Sequence, residues 1–233
     1  MTVIKGQGFT VEIIRSSKRK TSAIKIQKGQ VYVMVPKGLS RVVIESLVIN
    51  KTRWIIEKLT HQQSLLALPA KEFSSGERYA YLGGEYVLSI TVGLKPMIKL
   101  DQDQLIVSVR DQSVANTAII KALLINWYKQ QAVVALKLKM QHYASIIGVQ
   151  PTSITIKTYK ARWGSCSLSG ALQFNWKLMM APESVVDYVV IHELCHLLHH
   201  NHSPAFWAAV SQYCPDYRTH SVWLKRHGAR LEI

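Results

Sequence analysis

Cysteine is scarce in this chain of 233 residues. There are three, Cys166, Cys195 and Cys214, an odd set with no framework spacing. That argues against a disulfide scaffold and for a reducing compartment. Acidic residues are also few, 14 against 29 basic, which leaves a formal charge of +15. Such an excess suits a polyanionic partner or substrate (nucleic acid, a nucleotide, an acidic protein), or it merely keeps the surface soluble. Residues 1–112 hold 17 basic and 9 acidic side chains, and residues 113–233 hold 12 and 5. No basic tail exists, so a polyanion would meet a folded face. No apolar run approaches the roughly 20 residues of a membrane span. The opening MTVIKGQGFTVEIIRSSKRK lacks the apolar stretch of a secretory signal. The expectation is a soluble cytoplasmic protein with no membrane association. No internal repeat and no low-complexity tract is apparent.

What is present is an ordinary core-forming composition, 48% hydrophobic and 18% charged. Period-two alternation predicts strands at FTVEIIRS (9–16), SAIKIQ (22–27), QVYVMVP (30–36), YLGGEYVLSITV (81–92) and LIVSV (105–109). Lys28-Gly29 and Gly83-Gly84 are turn signals, and the basic SSKRK (16–20) reads as a loop. A helix is predicted over 39–68, with Ser40 as N-cap, a stripe of Val43, Leu47, Trp54, Ile55 and Leu59, and Pro69 as its stop. A second runs from about Ser113 to Gly148, with a stripe of Ile120, Leu123, Trp127, Val134 and Leu138. Residues 152–182 return to strand character, with a turn at Leu168-Ser169-Gly170. The domain reading is a β-rich, mostly antiparallel region with one long helix over 1–112, then a second domain over 113–233.

HELCHLLHHNHSPAFW (192–207) places five histidines in eleven positions. His192 and His196 stand at i and i+4, so one helical face presents both rings to one ion. Glu193, next to the first ligand, lies close to that ion without binding it and can take a proton from water. A catalytic zinc needs a third protein ligand and an open position. His199 lies about 10 Å up the axis of an unbroken helix, and His200 has the same difficulty. Asn201 tolerates the conformation that ends helices, and Ser203-Pro204 reads as the N-cap and first position of the next helix. The turn between them brings His202 back over the ion. The expected ligands are His192, His196 and His202, with His199 and His200 as solvated helix-end residues.

With RWGSCS (162–167), FNWKLMMAP (174–182) and DYVVIHE (187–193), this segment resembles the YgjP-like metallopeptidase family, a relative of the SprT-like and WLM zincins. The likeness is sharpest over 152–210. It implies an α+β, zincin-like metallopeptidase domain: a small sheet over an HExxH active-site helix, preceded by a β-rich N-terminal region. It further implies one zinc ion, or another divalent metal, on three histidines with glutamate as base. By the same likeness FNWKLMM is the sheet's edge strand or its neighbour, and an exposed edge can pair with an extended peptide.

Two residues are candidates for substrate contact. Arg162 would bind an anion or stabilise an oxyanion, or else form a salt bridge that holds its loop. Asn175 would donate to a substrate carbonyl, or else satisfy a buried backbone group. Tyr188, one turn before His192, is either a partner of that ring or a packing residue. Phe174, Trp176 and Cys195 read as core, and Cys166 has no assignment. Phe206 and Trp207 would anchor the following helix and so fix His202. The leading function is metal-dependent peptide hydrolysis with Glu193 as general base. One alternative is a nucleoside triphosphate phosphohydrolase of pyrophosphatase type, favoured by Lys157, Lys160, Arg162 and Lys177 near the site. Another is a DNA-associated zinc module or a DNA-recruited protease.

Overall fold

Strong β-formers separated by short polar turns run up to Pro36, and they assemble into a four-stranded sheet. The computed structural model describes residues 3–27, 29–66, 71–111 and 117–233, with backbone alone at 61, 62 and 64–66. The chain divides into two compact units, Met1–Ala70 and Lys71–Ile233. The division expected at residue 112 therefore falls inside the second unit. The strands that follow residue 70 share a core with the helices of the metal-site region, so they belong with those helices.

In the first unit the strands are β1 (Val3–Lys5), β2 (Thr10–Ser16), β3 (Ala23–Gln27) and β4 (Gln30–Pro36), in the order β1-β2-β4-β3. β1 and β3 pair antiparallel with their neighbours, but β2 and β4 run parallel. Two of the three pairs are antiparallel, so the sheet is mostly antiparallel as expected, with one parallel pair at its centre. Helix α1 (Arg41–Leu66) covers one face. Ser40 caps it, accepting from the Val43 amide at 3.5 Å. Its buried residues are Ile44, Val48 and Ile55, whereas Val43 and Trp54 are exposed. Of the predicted stripe, Ile55 is buried and Leu47 and Leu59 pack against the core, while Val43 and Trp54 fall outside it because this helix is apolar on several sides. Lys28, Pro69 and the expected helix start at Ser113 lie outside the described residues.

The second unit opens with β5 (Arg78–Tyr81), β6 (Gly84–Val92), β7 (Met97–Asp101) and β8 (Gln104–Val109), in the order β5-β6-β8-β7. Outer pairs are antiparallel and the central pair is parallel. A long helix, α2 (Thr117–Ile147), follows. This is the connectivity of the first unit repeated, ββββα twice over. The internal repeat missed in the sequence shows best in Ile24-Lys25-Ile26 against Ile98-Lys99-Leu100, each opening an antiparallel hairpin.

Helix α2 buries Ile120, Leu124, Trp127, Tyr128, Ala132 and Leu136, while Val134 and Leu138 are exposed. Gly148 ends it at φ 79°, with its amide bonded to the Ala144 carbonyl. Beyond it lies a three-stranded sheet, β10-β11-β9, built from β9 (Ser153–Lys157), β10 (Gly164–Cys166) and β11 (Ala171–Asn175). Only Phe174 and Asn175 of FNWKLMM are strand, and Trp176–Met180 is a 3-10 helix. Helices α3 (Glu183–Cys195), α4 (Pro204–Tyr213) and α5 (Tyr217–His227) complete the unit. The α+β class and the small sheet against the HExxH helix are as expected.

Candidate metal centre

Helix α3 is apolar almost all round, with Val185, Val186, Val189, Val190, Ile191 and Leu194 buried. Such a helix is fixed by packing on every side, which immobilises the rings it carries. Lys139 of α2 anchors its first turns by bonding Glu183 and Asp187, each at 2.7 Å. The helix ends at Cys195, so His196 is its C-cap and His199 and His200 sit in the turn beyond, not on a continuing helix. Ser203 then caps α4, accepting from the Phe206 amide at 3.3 Å, with Pro204 at the first position. The turn expected between Asn201 and Ser203 is therefore present.

That turn returns His202 to the face of α3. One ring nitrogen each from His192, His196 and His202 lie within 4.8 Å of one another. The Nε2 atoms of His192 and His202 are 3.2 Å apart, close to the roughly 3.4 Å between two nitrogens on a tetrahedral zinc with 2.0–2.1 Å bonds. His196 Nδ1 is 3.2 Å from the His199 carbonyl. As the donor of that bond it leaves Nε2 free to ligate, which assigns the tautomer. Phe206, fully buried, stacks on His196 at 4.5 Å and meets His192 and His202 edge-on at 5.0 and 4.8 Å. Trp207 stacks on His202 at 5.5 Å. These two residues thus hold the rings themselves, not only the helix.

Burial and the two neighbouring rings push His192 down to about 3, so it is neutral, as a ligand must be. Its Nδ1 is buried with no hydrogen-bond partner among the described residues. Three imidazoles with one open position fit a single zinc ion. Beside them Glu193 is 6% exposed. Burial raises its carboxyl to about 8, while the Arg162 charge pulls it the other way. Gly164 of β10 makes room for it: a Cβ there would lie 2.6 Å from both Cγ and Oε1 of Glu193.

A profile of the YgjP-like metallopeptidase domain matches residues 20–227. The chain belongs to the YgjP-like metallopeptidase family. Two solved structures are similar. The metallopeptidase zymogen of Pyrococcus abyssi abylysin is 22% identical, covering 39% of this chain and 93% of that one at a TM-score of 0.34. The zymogen of Methanocaldococcus jannaschii jannalysin is 20% identical, covering 37% and 93% at 0.33. No curated protein matches. The family match reaches well into the first unit, where the sequence motifs are weak. No helix among the described residues is long and apolar enough to cross a membrane.

The remaining candidates of this YgjP-like site divide between its mouth and its walls. Asn175 is 2% exposed, and its amide donates to the carbonyls of Tyr159 and Arg162 at 3.0 and 3.2 Å. Its oxygen accepts from the Lys177 amide at 3.3 Å. It satisfies buried backbone, the second of its two expected roles. Arg162 is exposed, lies 5.3 Å over the Tyr159 ring and makes no ion pair among the described residues. Tyr188 packs edge-on to His192 at 5.8 Å. Phe174, Trp176 and Cys195 are core, as expected. Cys166 sits half-buried on β10, where burial and the Glu193 charge raise its thiol. FNWKLMM contributes the middle strand, so the sheet edge beside Glu193 is β10. Gly164 is the residue that sequence reasoning missed. Its signal was a glycine inside RWGSCS, the mark of a close backbone approach.

Proposed function

We propose that this protein is a zinc-dependent peptidase in which Glu193 carries the proton. The observation that supports this reading most directly is the convergence of three imidazoles beside a buried carboxylate. Zinc held there would lower the pKa of a water to about 7 and polarise a substrate carbonyl. The chain's own residues account for the remainder. Glu193 accepts a proton from the attacking water and returns it to the leaving amine, which needs one group that both takes and gives. Gly164 sets how near that carboxylate approaches. The free edge of β10 is suited to pair with an extended peptide, whose main-chain bonds would place the scissile carbonyl. Arg162, exposed and without an ion pair among the described residues, is suited to a substrate carboxylate or a developing oxyanion.

The test is a screen of zinc-loaded protein on an unstructured polypeptide and on nucleoside triphosphates, with and without chelator, beside Glu193→Gln. The expected result is chelator-sensitive peptide cleavage, lost in the variant although metal analysis still finds one zinc. An active Gln variant removes the base assignment. Nucleotide cleavage without peptide cleavage makes the same site a phosphohydrolase. Against that outcome, Lys177, one of the cations it would use, is held by Glu232 at 2.5 Å. Zinc binding with no hydrolysis of either substrate leaves the DNA-associated module.

A further inference from the structure

The two ββββα copies serve as controls for one another. Counted over residues 1–70, the first copy carries 12 basic and 3 acidic residues, a net +9. The second, over 71–147, carries 9 and 6, a net +3. A charge required by the fold would appear in both, and it does not. The +15 that is evenly spread when the chain is divided at residue 112 is concentrated once it is divided at its structural boundary.

The excess is also localised within the first copy. The β2–β3 connection holds Lys18, Arg19 and Lys20, whereas its counterpart between β6 and β7, Gly93-Leu94-Lys95-Pro96, holds one cation. Two of the three acids, Glu45 and Glu57, are already bonded to Arg41 and Arg53 of α1 at 2.8 and 3.1 Å. Lys18, Lys20, Lys25 and Lys51 are exposed and have no ion-pair partner among the described residues. Arg19 is folded back, its Nη1 3.8 Å from the Met34 sulfur on the sheet face not covered by α1. On that face Tyr32 stands directly across from Lys25 and is half-exposed. Around the free edge of β3 lies a pocket of about 290 Å³, lined by Ser22, Ala23, Ile24, Leu47, Lys51 and Trp54. Trp54 is 41% exposed, although it is the largest apolar group on its helix.

We propose that the β3 edge of the first unit binds single-stranded nucleic acid, with Lys18, Arg19, Lys20 and Lys51 on the phosphates and Trp54 stacking an unpaired base. Cations beside an exposed aromatic ring suit a single strand, because each base offers a face and each linkage a charge. A duplex offers its charges but no free base faces, so the aromatic residues would gain nothing from it. This site is independent of the metal centre and of the peptidase reading.

The test is fluorescence anisotropy of the full-length protein with labelled oligothymidylate, the matching duplex and anionic phosphatidylglycerol vesicles, across a salt series. The expected order is single strand tighter than duplex, with vesicles weaker still. Replacing Lys18, Arg19 and Lys20 together by glutamine should flatten the slope of log affinity against log salt by about 2, at roughly 0.7 for each phosphate left without its cation. Trp54→Ala should weaken single-strand binding about ten-fold and leave the slope unchanged. Lys51→Gln, at an exposed residue lining the pocket, checks the pocket and should lower the slope alone. Absence of binding at low salt overturns the proposal. So does equal affinity of wild type and Trp54→Ala, or binding of duplex or vesicles as tight as that of the single strand.

Discussion

At the scale of single residues, the metal centre rests on groups that differ in how far apart they are in sequence. The three histidines lie within eleven positions, so helical spacing and the Ser203-Pro204 cap suffice to infer their convergence. Gly164 and Glu193 are far apart in the chain, and no local pattern pairs them. Gly164→Ala should therefore be informative. The added methyl must displace the carboxylate, and a misplacement of that size costs roughly a hundred-fold in turnover. Zinc affinity, measured by competition with a chromogenic chelator, should be unchanged because no ligand moves. A fall in affinity equal to the fall in activity would show that the glycine supports the ligands instead. Phe206→Ala should do the opposite. It removes the ring packed against all three imidazoles and costs about 3–5 kcal/mol of stability, with zinc affinity falling alongside in the same titration.

At the scale of elements, existence was easier to read than orientation. The strands β2, β3, β4, β6 and β8 follow period-two alternation, whereas β1 is only three residues long and β7, which alternates as β3 does, is not among the predicted strands. Both long helices were legible, but their buried faces were only partly so. α2 carries Ala132, Val133, Val134, Ala135, Leu136 and Leu138, and a 3.6 period can be drawn through these in more than one way. Only packing decides. Leu136→Ala should cost about 2–5 kcal/mol, while Leu138→Ala should cost little, measured by urea denaturation. Parallel pairing at the centre of each sheet is equally invisible in sequence, since partner order is set by the whole fold. One connection has a pH signature. Glu77 accepts from the amides of Glu72 and Phe73 at 2.7 and 2.8 Å and from the Tyr79 hydroxyl at 2.8 Å. It thereby holds Phe73 at φ 59°, a left-handed backbone for a bulky residue. Burial acts to raise its pKa, but these bonds outweigh burial and leave the carboxyl below its ordinary value. A depressed folded pKa gives stability that is full above the unfolded value and disappears as pH falls through the folded one. Glu77→Gln should thus lower the melting temperature at neutral pH, and the difference from wild type should close in acid.

At the scale of the whole molecule, zinc should stabilise the protein in proportion to how far its concentration exceeds the dissociation constant. Calorimetry with added zinc should raise the melting temperature, and His202→Ala should abolish the shift while leaving the apo transition in place. The repeated ββββα connectivity was not legible because the two copies share pattern more than identity. Its two hairpins, built on Ile24-Lys25-Ile26 and Ile98-Lys99-Leu100, have the same strand register. During refolding, each hairpin can therefore dock onto the other copy's parallel strand before its own. A chain that carries the same answer twice has a matched decoy within itself, and its recovery from denaturant should include misdocked species that must separate before the native pairing forms.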